Sequence, residues 1–240
     1  MKTGLPYVAA LVAAAALPAF AASPVTSGSR DALFVSDGLE NWSIGIDGAS
    51  IRRGVDLEGF PDRLEATYFG GFVGWRAVPW LTIYGVLGQA EAEIGIDNLD
   101  DGMYWALGAN ATVWQYDMTD PEFLTGRWSI RVHGEFAAAD LTSGEWQDLS
   151  GSLRLQYEIF TEAVEATQRM PYSLALFAGP MVSVLDGKVE LLGITDDFEA
   201  DDEVGVVAGL ELSISHNVLL GLGAEILDDT TWVGSLRYKF

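Results

Sequence analysis

Residues Asn217 to Phe240 read NVLLGLGAEILDDTTWVGSLRYKF, two alternating segments joined by a short acidic turn and closed by an aromatic residue. Successive side chains of a strand point to opposite faces. Trp232, Gly234, Leu236, Tyr238 and Phe240 therefore share one face, and Thr231, Val233, Ser235, Arg237 and Lys239 the other. The first face suits hydrocarbon and the second suits water. In the preceding segment Val218, Leu220, Leu222, Ala224 and Ile226 lie opposite Leu219, Gly221, Gly223 and Glu225, a face that is small and ends in a charge.

Working back from this hairpin, the same period recurs from Trp42 onward in ten segments, at 42–53, 63–76, 80–94, 103–116, 127–138, 147–160, 172–185, 203–215, 217–227 and 231–240. In the fifth, Trp128, Ile130, Val132, Gly134 and Phe136 oppose Ser129, Arg131, His133 and Glu135. In the sixth, Leu149, Gly151, Leu153, Leu155, Tyr157 and Ile159 oppose Asp148, Ser150, Ser152, Arg154, Gln156 and Glu158. A soluble β-sandwich has strands of the same period, so the connections must discriminate. With the start of the chain on the inner side, the outward connections are Gly54–Asp62, Gly95–Gly102, Ala139–Trp146, Asp186–Asp202 and Asp228–Thr230, mostly long and polar. Ala77–Pro79 and His216-Asn217 on the inner side are short, while Asp117–Gly126 and Thr161–Pro171 are longer than a membrane barrel prefers. Aromatics fall in two bands. Trp75, Trp80, Trp114, Trp128, Tyr157, Phe160, Tyr172, Tyr238 and Phe240 lie near inner strand ends, and Tyr68, Trp105, Phe136 and Trp232 near outer ones. Pro180 cannot donate in the seventh strand, and a bulge is expected there.

Residues 1–21, MKTGLPYVAALVAAAALPAFA, carry one cation at Lys2, an apolar run from Tyr7 to Leu17 and the small-x-small site Ala19-Phe20-Ala21. They read as a secretory signal peptide. No later stretch approaches the roughly 18 to 20 consecutive apolar residues of a membrane-spanning helix, yet 49% of residues are hydrophobic and the mean hydropathy is +0.20. The apolar content is dispersed by alternation. There is no cysteine, which excludes a disulfide scaffold, a lipoprotein anchor and thiol chemistry. The formal charge is −22, and loss of Lys2 with the signal leaves 12 basic against 35 acidic side chains, or −23. Nucleic acid is excluded as a partner, since it is held by Lys and Arg on phosphates.

The closing strand resembles the last strand of bacterial outer-membrane β-barrels, which ends in Phe with apolar or aromatic residues two and four positions earlier. Here these are Phe240, Tyr238 and Leu236. The resemblance covers nearly all of the mature chain as a pattern, but only this strand as a specific motif. It implies that Leu236, Tyr238 and Phe240 are an assembly signal read by the barrel-assembly machinery. It further implies residence in the outer membrane of a Gram-negative-type bacterium, against outer-membrane lipid and lipopolysaccharide. The expected fold is all-β, a closed up-and-down antiparallel transmembrane β-barrel of ten strands, with eight or twelve as alternatives. Closure removes the edges that would stay unpaired in lipid. Residues 1–21 are then the signal, 22–41 a periplasmic lead-in and 42–240 the barrel.

The inward faces carry Asp47, Arg131, His133, Glu135, Arg154, Glu158, Glu211, Glu225, Arg237 and Lys239. Opposite charges in a narrow interior are expected to pair and fill it. Whether they leave a narrow passage is left open at this stage. Omptin proteases are also ten-stranded barrels, with catalytic Asp and His near the outer rim. The two histidines here, His133 within a strand and His216 at an inner turn, do not match that placement. A Ser-His hydrolase would have to draw on Ser129, His133 and Glu135, with Ser129 four residues from the histidine. In the stretch Asp196-Asp197-Phe198-Glu199-Ala200-Asp201-Asp202-Glu203, Asp197, Glu199 and Asp201 are a weak cation-site candidate. The calcium-loop pattern itself is absent, because Asp202 replaces the required Gly and no Glu follows at the twelfth position. The expectation is a structural or surface-interaction barrel with no catalytic centre and no cofactor. A narrow channel for ions or small solutes, a surface adhesin acting through acidic outer loops, and a secreted β-sandwich are the alternatives.

Overall fold

The computed structural model describes residues 41–57, 60–95, 97–118, 126–160, 173–191, 194–215 and 217–240. The expected signal peptide, the lead-in up to residue 40, His216 and the Thr161–Pro171 connection lie outside the described residues, as does most of Asp117–Gly126.

Among the described residues the strands are β1 Trp42–Leu57, β2 Phe60–Val78, β3 Leu81–Ile94, β4 Asp97–Met118, β5 Gly126–Leu141, β6 Gly144–Phe160, β7 Ser173–Leu191, β8 Ile194–Ala200, β9 Val204–Ser213, β10 Val218–Ile226 and β11 Thr230–Lys239. Each of β1 to β7 pairs antiparallel with the next, β7 pairs with β9, β9 with β10, β10 with β11, and β11 closes on β1. This is a closed ring of ten strands, the expected number. Its seam sets Ser43–Ser50 against Lys239–Trp232 in unbroken register.

β8 stands outside that ring. One of its edges pairs with Asp186–Leu191 of β7 and the other with Val55–Leu57 of β1. The strands β9, β10 and β11 have 10, 9 and 10 residues, whereas β2, β4 and β7 have 19, 22 and 19. Beyond the ends of the three short strands, the wall continues as a second closed ring made by β1 to β8. The barrel is ten-stranded at its inner level and eight-stranded at its outer level.

This corrects the expected outer loops. Among the described residues, the stretches 54–62, 95–102, 139–146 and 186–202 are mostly strand extensions. Most charges at this level lie on its outer face. Glu65, Glu91, Glu93, Asp101, Asp140, Glu145 and Lys188 are exposed outside. Val55, Leu64, Ile94, Leu99, Leu141, Trp146, Val189 and Phe198 turn inward and form one apolar cluster. Burying that inner face drives the extension. Tyr68 is also an inward residue, stacked on Tyr104 with ring centroids 4.0 Å apart, and does not belong to the outer aromatic band. The bulge expected at Pro180 is absent. Ser152↔Met181 and Leu155↔Ala178 keep one register on either side of it, so the ladder skips pairs without shifting. Bulges occur instead between Arg76 and Val78 and between Thr112 and Trp114.

The change from ten strands to eight is tied by Arg53. Its Nε donates to Asp228 Oδ1 in the β10–β11 turn (3.0 Å), one terminal nitrogen to Ser183 Oγ on β7 (2.8 Å), and the other to the Asp202 carbonyl after β8 (2.7 Å). The neighbouring Gly54 N–H donates to Asp228 Oδ2, its carbonyl accepts from Asp201 N at 3.0 Å, and Ser183 Oγ donates to Asp148 Oδ1 at 2.7 Å. A Cβ at Gly54 would lie 2.8 Å from carboxylate oxygens of both Asp201 and Asp228, so a larger residue there would displace these carboxylates. Arg53 is buried, and removing one member of a buried charge pair costs about 3 to 5 kcal/mol. Arg53→Met is expected to lose stability of that order in denaturant unfolding from detergent micelles, with faster amide exchange in β8. Unchanged exchange in β8 would show that Arg53 does not hold the strap.

Candidate functional site

The ring confines inward side chains from every strand to one space, and their chemistry changes along the axis. At the outer level the space is filled with hydrocarbon and aromatic rings. Trp146 lies 5.9 Å from Tyr104, and Phe198 of β8 seats where a Cβ at Gly187 would clash with it. Deeper, polar and charged groups take over. Arg131, His133, Glu135, Arg154, Glu158, Glu211, Glu225 and Arg237 all turn inward and none is more than 7% exposed.

The structure gathers these into distinct groups. Across the seam, Arg237 donates to Asp47 Oδ2 at 2.9 Å, and Tyr68 OH donates to Asp47 Oδ1 at 3.0 Å. The Arg237 guanidinium lies 4.0 Å over the Phe72 ring. In the centre, an Arg154 terminal nitrogen is 2.8 Å from His133 Nδ1, His133 Nε2 is 2.8 Å from Tyr84 OH, and Tyr84 OH donates to Glu135 Oε2 at 2.5 Å. Guanidinium only donates, so Nδ1 is the acceptor, and Nε2 carries the proton that it gives to the tyrosine oxygen. The donors run one way, from Arg154 through His133 and Tyr84 to Glu135. Nearer the inner end Arg131 and Glu211 are 3.8 Å apart. No salt bridge of the structure joins Glu158 or Glu225 to a cation among the described residues.

Sequence reasoning missed Tyr84, Tyr68, Arg53 and Phe72 as members of these groups. Tyr84 had a readable signal, since its parity on β3 puts it inward. Its partner position Gly108 leaves room for it, for a Cβ there would collide with the Tyr84 hydroxyl. Arg53 carried none, because its partners lie on turns and strands more than a hundred residues away.

Both His133 nitrogens are engaged, with Arg154 and Tyr84, and neither meets a serine oxygen. Ser129, His133 and Glu135 therefore do not form a nucleophile relay. Large side chains stand in the interior at both levels: the apolar cluster at the outer one, and at the inner one Phe177, packed so closely on Gly209 that a Cβ there would meet its ring. Between them lies a small space of about 30 Å³.

The structure sets the three cation-candidate residues apart. Asp197 and Glu199 stand on the outer face of β8, opposite Lys188 in one case and between Asp56 and Asp186 in the other, while Asp201 turns to the rim beside Gly54. Asp201 thus leaves the face that Asp197 and Glu199 share, and the three do not converge on one point. Among the described residues no group of three or more His, Cys, Asp or Glu side chains is placed to hold a metal ion.

No protein-family profile matches the chain, and no curated protein is similar to it. Several solved structures are. Neisserial surface protein A is 14% identical with a TM-score of 0.34, over 83% of this chain and 97% of that one. The outer membrane protease OmpT from Escherichia coli is 9% identical with a TM-score of 0.40, over 87% and 100%. The attachment invasion locus protein Ail of Yersinia pestis is 13% identical with a TM-score of 0.27, over 83% and 97%. Likeness of this degree concerns barrel architecture, and no function transfers with it.

Arg237→Met leaves the buried Asp47 carboxylate without its cation and is expected to cost about 3 to 5 kcal/mol in denaturant unfolding. Adding Asp47→Leu should recover most of that loss. Strictly additive single and double variants would mean that the two groups do not act as a pair.

Proposed function

We propose that this chain is an integral outer-membrane β-barrel with a plugged interior, acting as a structural or surface-interaction protein and carrying no catalytic centre. The observation that carries the reading is the inversion of the ten-stranded level. Its outside is apolar and its inside is charged. Ile44, Phe69, Leu87, Leu107, Leu155, Leu176, Val206, Leu222 and Leu236 stand exposed on nine of the ten strands of the ring, with Phe69 and Leu87 each 63% exposed. Water would penalise such a belt on every side, whereas hydrocarbon accepts it. The 9- and 10-residue strands β9 to β11 have the length that a bilayer core requires of a strand, about 9 to 11 residues. Aromatic pairs border the belt, with Trp42 on Trp75 and Trp128 on Tyr157 toward the inner end, and Trp105 on Phe136 toward the outer.

On this reading the eight-stranded level stands outside the bilayer. Its acidic outer face, rather than loops, is what a surface partner meets, and outer-membrane lipid and lipopolysaccharide surround the belt below. Leu236 and Tyr238 face the lipid side of the closing strand and end at Phe240, as an assembly signal read by the barrel machinery would require. Export by residues 1–21 belongs to the same proposal. The filled interior weighs against the channel alternative.

Three measurements test this. The unboiled protein from outer-membrane fractions should migrate differently from the boiled protein on a denaturing gel. A soluble protein without such a shift would overturn the barrel reading. In planar bilayers the intact protein should give no steady conductance, and removal of Phe240 should lower its yield in the outer membrane several-fold. Steady conductance would restore the channel, and an unchanged yield would remove the assembly role.

A further inference from the structure

Where ten strands become eight, the interior holds a space of about 30 Å³ whose lining includes Arg53, Glu135, Trp146, Asp148, Glu225 and Thr231. Trp146 and Glu225 are 3% and 7% exposed, and neither Trp146 Nε1 nor Glu225 Oε1 has a hydrogen-bond partner among the described residues. The indole N–H can only donate, and the carboxyl oxygen can accept. Buried groups of this kind are costly to leave unmade, and native interiors satisfy them with protein or with ordered water.

We infer that this space is a buried-water site, in which water accepts from the Trp146 indole N–H and donates to the Glu225 carboxylate. About 10 to 15 Å³ suffices for a water molecule, so the volume fits. An anion would face the carboxylates of Glu135, Asp148 and Glu225. A cation would face Arg53 and the indole N–H. Water both donates and accepts, as this pair of groups requires. It also extends the polar column, because Glu135, which ends the chain from Arg154, His133 and Tyr84, lines the same space as Arg53, which reaches Asp228 at the rim.

The test uses the full-length protein in detergent micelles with its tryptophan indoles labelled with nitrogen-15. The Trp146 signal is identified by its disappearance in Trp146→Phe. A dipolar cross-peak between that indole N–H and water is expected. It should persist in Glu225→Gln, whose amide oxygen still accepts, and be lost in Glu225→Leu. Folding of each variant is checked by its unboiled gel migration, and if Glu225→Leu does not fold, the wild type and Glu225→Gln decide. Absence of the cross-peak in the folded wild type would overturn the inference. So would a high-resolution structure with the indole bonded directly to Glu225 and no water between.

Discussion

Arg53 holds the junction on which the outer half of this molecule depends. Three strands stop at the inner level, and a ring that loses three members must close over the gap or leave open edges. β8 supplies the closure, but it meets β1 through only three residue pairs, Val55–Leu57 with Phe198–Ala200. So short an antiparallel contact is weak by itself. The guanidinium compensates by bonding at once to β7, to the chain after β8 and to the β10–β11 turn. Its planar fork of donors suits three acceptors in different directions, where a lysine would supply a point charge. Gly54 allows the two carboxylates to approach the backbone at the same place.

Above that junction the protein is organised as a water-soluble barrel is, with an apolar centre and a charged outside. Below it the arrangement inverts. The interior charges are then not an anomaly, since polar groups gathered there and cut off from water bond to one another. The group of Arg154, His133, Tyr84 and Glu135 meets that demand by a one-way run of donors, and Asp47 with Arg237 and Tyr68 by a pair that also pins the seam. Phe177 and Phe72 fill what the charges leave, each beneath a guanidinium. Such an interior favours rigidity over passage.

The alternation of Trp232 to Phe240 and of Trp128 to Phe136 determined, from sequence alone, that these are strands with one lipid-suited face, because a period of two is a property of the backbone. Ten such segments determined the number of strands in the closed ring, and parity determined that Arg131, His133, Glu135 and Arg154 share an interior. What only the tertiary structure decided is where a polar stretch is loop and where it is wall. Residues 186–202 read as an acidic loop because Asp196, Asp197, Glu199 and Asp201 dominate them, but Val189 and Phe198 gain burial once β7 and β1 offer both edges to β8. The partners of Arg53, the direction of the His133 bonds and the reduction from ten strands to eight all depend on residues far apart in the chain being brought to one place. Local period carries no record of such meetings, because it reports which face a side chain takes and not what stands opposite.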